Sequence, residues 1–211
     1  MHLEAVDETM VNLTKKLAFI KEFSFHLSGG TGLALQIGHR RSFDMDFFTP
    51  HEFLPDDVAA TLTAHHLSVE SRMIRPKTLY CILEGVKTSF IFYPEPLLFP
   101  LKTFNTIEIA DWRDIVIEKL RTIADRGQKK DFYDFYFGLQ KIGIEQVTKL
   151  AFRKFGNRVN YFHLLKGLTY FEDADRNPEP ILIGENIPWS KIKEFFLKSI
   201  KDFETYFSNL C

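Results

Sequence analysis

Apolar and polar positions change period several times along the chain. Between about Glu4 and Phe23, apolar side chains fall at Val6, Met10, Leu13, Leu17 and Ile20, a helical spacing. Phe23-Ser24-Phe25-His26-Leu27 then alternates and predicts a short strand, and Ser28-Gly29-Gly30-Thr31 predicts a turn. Thr31 can cap a helix over 32–37. After the polar loop Gly38-His39-Arg40-Arg41-Ser42, the run Phe43-Asp44-Met45-Asp46-Phe47-Phe48 alternates with period two, again a strand. Pro50 and Pro55 bracket a loop before a helix over 56–66. Three further strands are predicted at 67–74, 79–83 and 86–93, the last two joined by Glu84-Gly85 as a hairpin turn.

Pro94, Pro96 and Pro100 interrupt this regime. Beyond them the pattern is helical, with helices predicted at 111–125, 130–141, 145–154, 157–170 and 189–208. The expected fold class is therefore α+β: a mixed sheet with flanking helices over 1–100, followed by a helical part over 101–211. The boundary falls between about Pro94 and Asp111.

Composition adds limits rather than identity. The 211 residues are 45% hydrophobic and 26% charged, ordinary for a globular chain. A formal net charge of −1 excludes a polycation built to coat nucleic acid. The abundant Phe reads as core filler. Cys81 and Cys211 form no CxxC or Cys/His spacing, which argues against structural zinc and against a disulfide framework. No signal-peptide pattern and no apolar run of bilayer length is present, so a cytoplasmic protein with no membrane partner is expected.

Two constellations carry chemistry. On a strand, Asp44 and Asp46 face the same way, while Phe43, Met45 and Phe47 can pack the other face. Like charges so placed call for a cation, and Mg²⁺ commonly takes one or two carboxylates plus phosphate oxygens. Upstream, Ser28-Gly29-Gly30-Thr31 follows a strand and opens a helix, where backbone N–H groups can receive phosphate. The blander readings are an ordinary turn and the wet face of an edge strand. Gly30-Thr31-Gly32 also begins like a dinucleotide fingerprint, but Leu35 stands where the third glycine belongs.

The second constellation lies at 118–134. Lys119 and Arg126 are seven apart and share a helix face, and Asp131 and Asp134, three apart, do the same on the next helix. From Lys119 to Lys166 there are eleven Lys/Arg against four Asp/Glu. That local basicity suits triphosphate or RNA, but taken alone it is explained more simply by solvated lysines, with Asp131 capping its helix and pairing with Arg126. His39, Arg40 and Arg41 either reach the triphosphate or acceptor or belong to a solvated loop.

The stretch Gly29-Gly30-Thr31-Gly32-Leu33-Ala34-Leu35-Gln36-Ile37-Gly38-His39-Arg40-Arg41-Ser42-Phe43-Asp44-Met45-Asp46-Phe47-Phe48 closely resembles the N-terminal motif of the AbiEii/AbiGii toxin family of nucleotidyltransferases. Glu118-Lys119-Leu120, Arg126 and Lys130-Asp131-Phe132-Tyr133-Asp134 resemble its second signature. The resemblance implies a polymerase-β-like core with a helical C-terminal part. It implies an enzyme that uses Mg²⁺ or Mn²⁺ and an NTP, with tRNA or another RNA as acceptor, and that acts as a toxin with a cognate antitoxin. By position, Ser28, Gly29, Gly30, Thr31, Arg41, Lys119 and Arg126 would bind nucleotide. Asp44 and Asp46 would bind metal, and Lys119, Asp131 and Asp134 would join the catalytic set. Many nucleotidyltransferases carry a third carboxylate on a later core strand; Lys87-Thr88-Ser89-Phe90-Ile91-Phe92-Tyr93 holds none. That departure motivates an alternative, an inactive nucleotide- or RNA-binding module acting through a protein partner.

Overall fold

A computed structural model describes residues 1–210. The chain separates into two compact units, Met1–Asp111 and Trp112–Cys211.

The first unit opens with helix α1 (Glu8–Lys16), capped by Asp7, whose carboxylate accepts from the Met10 N–H at 2.9 Å. The helix predicted across 4–23 does not run through. It gives way to a 3₁₀ turn, Ala18–Phe23, closed by Ser24 N–H to Lys21 and Phe25 N–H to Ile20. That closure draws Phe23 to Phe25 into a turn, so strand β1 is only His26–Leu27. Helix α2 spans Gly29–Ile37, and strand β2 spans Asp44–Thr49. Helix α3 (Pro55–Ala64) starts on a proline, which fits the first helical turn. Strands β3 (Val69–Arg75), β4 (Thr78–Leu83) and β5 (Val86–Phe92) follow. Glu84 and Gly85 both have positive φ, 51° and 79°, as a tight two-residue hairpin loop demands.

Two strands escaped the sequence pattern. β6 (Lys102–Phe104) and β7 (Ile107–Ile109) form a hairpin turning at Asn105. The seven-stranded sheet runs β3-β4-β5-β2-β1-β7-β6, with β2 parallel to β5 and antiparallel to β1, and β1 parallel to β7. The first unit therefore extends to Asp111, past residue 100, because β7 completes its sheet beside β1.

Alternation sorts the sheet into two faces. Phe25, Leu27, Met45, Phe47, Phe90, Ile107 and Ile109 are at most 1% exposed and form the core with α1 and α3 residues such as Leu13 and Leu62. Phe47 stacks on Phe90 with ring centroids 5.4 Å apart. The opposite face carries His26, Asp44, Asp46, Phe48, Ser89 and Glu108.

The second unit is helical: α4 (Trp112–Arg126), α5 (Lys129–Ile142), α6 (Ile144–Phe155), α7 (Tyr161–Leu168), α8 (Glu172–Asp175) and α9 (Trp189–Ser208). Its core is aromatic. Phe132 meets Trp189 and Phe196 edge-on at 5.5 Å, and Phe135 stacks on Phe196 at 5.9 Å. No helix among the described residues is long and apolar enough to cross a membrane.

Candidate active site

In the first unit the glycine turn and the aspartate strand are bolted together. The Ser28 N–H donates to the Asp46 carbonyl at 2.8 Å, which continues the β1–β2 ladder by one residue. Gly32 N–H then donates to the Ser28 carbonyl at 3.0 Å, opening α2 at Gly29. The cap position is therefore Ser28, not Thr31, and the Ser28 side chain does not cap the first turn. Thr31 is used differently. Its hydroxyl is buried, 2.7 Å from Ser42 Oγ and within hydrogen-bonding reach of the Asp44 carbonyl. It ties the helix to the head of β2.

Gly29 has φ +60°, and a Cβ there would lie 2.8 Å from Asp46 Oδ2. Only glycine gives both the left-handed backbone and the space for that carboxylate. On its other side, Ser89 Oγ donates to Asp46 Oδ1. Ser89 stands directly opposite Asp46 in the parallel β2–β5 register, on the strand that lacks an acid. Asp46 is thus held between a glycine backbone and a serine hydroxyl. Asp44 lies two residues away on the same face, and both aspartates are half-buried.

No group of three or more His, Cys, Asp or Glu able to hold a metal occurs among the described residues. The donor set is two carboxylates, hard oxygen ligands that suit Mg²⁺ or Mn²⁺ when phosphate and water complete the shell. Arg41 is exposed, with its guanidinium 5.4 Å from the Phe43 ring centroid. His39 and Arg40 are buried, so that part of the loop is not solvated; Arg40 Nη1 donates to the Arg41 carbonyl at 2.9 Å.

The second constellation forms an ionic network inside the second unit. Lys119 Nζ lies 2.7 Å from Asp131 Oδ1 and 2.7 Å from Asp134 Oδ2, and all three side chains are buried. Arg126 adds a fork to Asp131, Nε to Oδ2 at 3.0 Å and Nη2 to Oδ1 at 3.1 Å. Burial pushes the Asp131 carboxyl upward, but Lys119 and Arg126 outweigh it and hold it below the usual carboxylate range. A second buried cluster had no sequence prediction: Lys154 Nζ meets Asp114 Oδ1 at 2.8 Å and Glu118 Oε1 at 2.9 Å. Burial lowers the Lys154 pKa, yet the two carboxylates prevail and raise it above the usual lysine value. The missed signal was Asp114 and Glu118, one turn apart on an otherwise apolar stretch of α4.

A family model described as the nucleotidyl transferase AbiEii toxin of a type IV toxin–antitoxin system matches residues 86–209, more than half of the chain. The chain belongs to the AbiEii family. This AbiEii protein is a nucleotidyltransferase by family, and the match takes in Ser89, Lys119, Arg126, Asp131 and Asp134 but starts after the glycine turn and Asp-x-Asp strand. An uncharacterised protein of Aquifex aeolicus, aq_aa25, is 37% identical over 186 residues, covering 85% of the AbiEii chain and 87% of its own. JHP933 from Helicobacter pylori has a similar fold, with a TM-score of 0.53 at 15% identity and 97% of both chains covered. A second H. pylori structure, described as a candidate nucleotidyltransferase, gives a TM-score of 0.52 at 13% identity, covering 97% of this chain and 95% of its own. These two likenesses show the fold.

Proposed function

We propose that this AbiEii-family nucleotidyltransferase moves NMP from an NTP onto an RNA acceptor at Asp44 and Asp46, using Mg²⁺ or Mn²⁺, and serves as the toxin of a toxin–antitoxin pair. The observation that carries the reading is the juxtaposition of two same-face carboxylates with a helix start whose backbone presses on one of them.

Asp44 and Asp46 would hold the ion; when bound, it supplies charge neutralisation at the α-phosphate and alignment of the attacking hydroxyl. The N–H groups of Gly29 and Gly30, in the first turn of α2, receive phosphate oxygens of the leaving pyrophosphate. Ser89 fixes the rotamer of Asp46, so little reorganisation is left for the transition state. Asp131, held ionised by Lys119 and Arg126, has low proton affinity and is a poor base for the attacking hydroxyl. Lys119, Arg126, Asp131 and Asp134 frame the helical unit. A phosphate contact by Lys119 would require it to leave one of its carboxylates.

The test is incubation with Mg²⁺, each α-³²P NTP in turn and total tRNA, with Asp44→Ala alongside. Label on RNA from wild type alone supports the reading. Undiminished transfer by folded Asp44→Ala refutes it. The lack of an acid on β5 favours one other reading, a nucleotide-binding module without turnover. That reading predicts nucleotide-dependent thermal stabilisation with no label transferred.

A further inference from the structure

Farther along the aspartate face of the sheet lies a cavity of about 360 Å³, within the size range of small-ligand sites. Its lining includes His26, Glu108, Tyr93, Glu95 and Lys21, all in the first unit. The sheet register connects it to the aspartates. His26 pairs with Phe48 on one side and Glu108 on the other, and Phe48 is two residues beyond Asp46 on the same face. Two strand residues span about 7 Å, roughly the reach from a phosphate to its own ribose and base. The glycine turn lies at the far end of β1 from His26, so the cavity and the phosphate cradle sit at opposite ends of that strand.

The lining fits a neutral aromatic ligand and disfavours a phosphate. Tyr93 presents a ring, 5.1 Å from the Phe48 ring, against which a base can stack. Glu95 and Glu108 outnumber Lys21, so phosphate oxygens are repelled. Carboxylates accept hydrogen bonds from exocyclic amino groups and ribose hydroxyls. We infer that this cavity is a nucleoside subsite of the transfer reaction, taking base and ribose from either the NTP or the end of the RNA acceptor. The inference rests on the aspartate pair being the transfer centre.

The probe is 2-aminopurine riboside, whose fluorescence is quenched on stacking. Wild-type protein should quench it saturably at millimolar nucleoside, and Tyr93→Ala should weaken binding about tenfold or more. Glu108→Gln serves as the second variant, with melting curves confirming that each is folded. In turnover, Tyr93→Ala should raise one KM by a similar factor; a rise for NTP names the incoming nucleotide as occupant, and a rise for RNA names the acceptor. Absence of saturable quenching by wild type overturns the subsite. So do unchanged quenching in both variants and unchanged KM values for both substrates. If wild type transfers no label at all, the transfer assignment fails instead, and the quenching result still decides whether the cavity binds nucleoside.

Discussion

Replacing Gly29 by Ala introduces one methyl group at the point where helix and strand meet. Two penalties follow. The backbone at φ +60° is left-handed, which costs an L-residue about 1–2 kcal/mol. The new Cβ would also sit 2.8 Å from Asp46 Oδ2 and 3.3 Å from Asp46 Cβ, so the carboxylate must move by a few tenths of an ångström. It has little room, because Ser89 holds Oδ1. Gly85 supplies the control: its φ is +79°, and a Cβ there meets nothing within 4 Å. Gly85→Ala therefore carries the backbone penalty alone. Urea melts should show Gly85→Ala destabilised by about 1–2 kcal/mol and Gly29→Ala by more than that, because the clash with Asp46 adds to the backbone penalty. Label transfer should separate them, near wild type for Gly85→Ala and down about 10-fold for Gly29→Ala, since a full ångström of misplacement costs about 100-fold and the carboxylate moves by part of that. Equal transfer rates in the two variants would refute the claim that Gly29 positions Asp46.

Other outcomes follow from the buried charges and the thiol. Lys154→Met leaves Asp114 and Glu118 buried without their ammonium and should cost about 3–5 kcal/mol by chemical denaturation; adding Asp114→Asn and Glu118→Gln should recover most of it. Lys119→Met should lower the melting temperature strongly for the same reason, and an unchanged melt would contradict the buried network. Because the folded Asp131 pKa lies below the usual 3.8, its ionisation stabilises the fold above that value and the contribution is lost as pH falls through the folded pKa; the stability gap between wild type and Asp131→Asn should narrow only below about pH 3.8. Burial pushes the Cys81 thiol up to about 11, so in a Cys211→Ser background a thiol reagent at neutral pH should react only after unfolding.

How legible each part was depended on how much chain carries the signal. Six alternating residues around Asp44 and Asp46 suffice to put both on one face, and the strand they predict is present. The β6–β7 hairpin spreads its pattern over strands of three residues, too short for period two to stand out. The placement of Ser89 against Asp46 is a matter of register between strands distant in sequence, so local pattern shows only that an acid is lacking there. Lysines on helices usually read as surface. Lys119 and Lys154 are buried because each meets two carboxylates, and for Lys154 those partners lie on another helix, far away in the chain.

The pairing of β7 with β1 has a consequence for biosynthesis. A chain emerging from the ribosome displays the glycine turn and both aspartates early, yet β1 has only β2 for a neighbour until residues 107–109 appear. Until then β1 is an open sheet edge, the kind of surface that recruits foreign strands. The interval delays maturation: the first unit completes its sheet only when synthesis has reached the start of the helical unit.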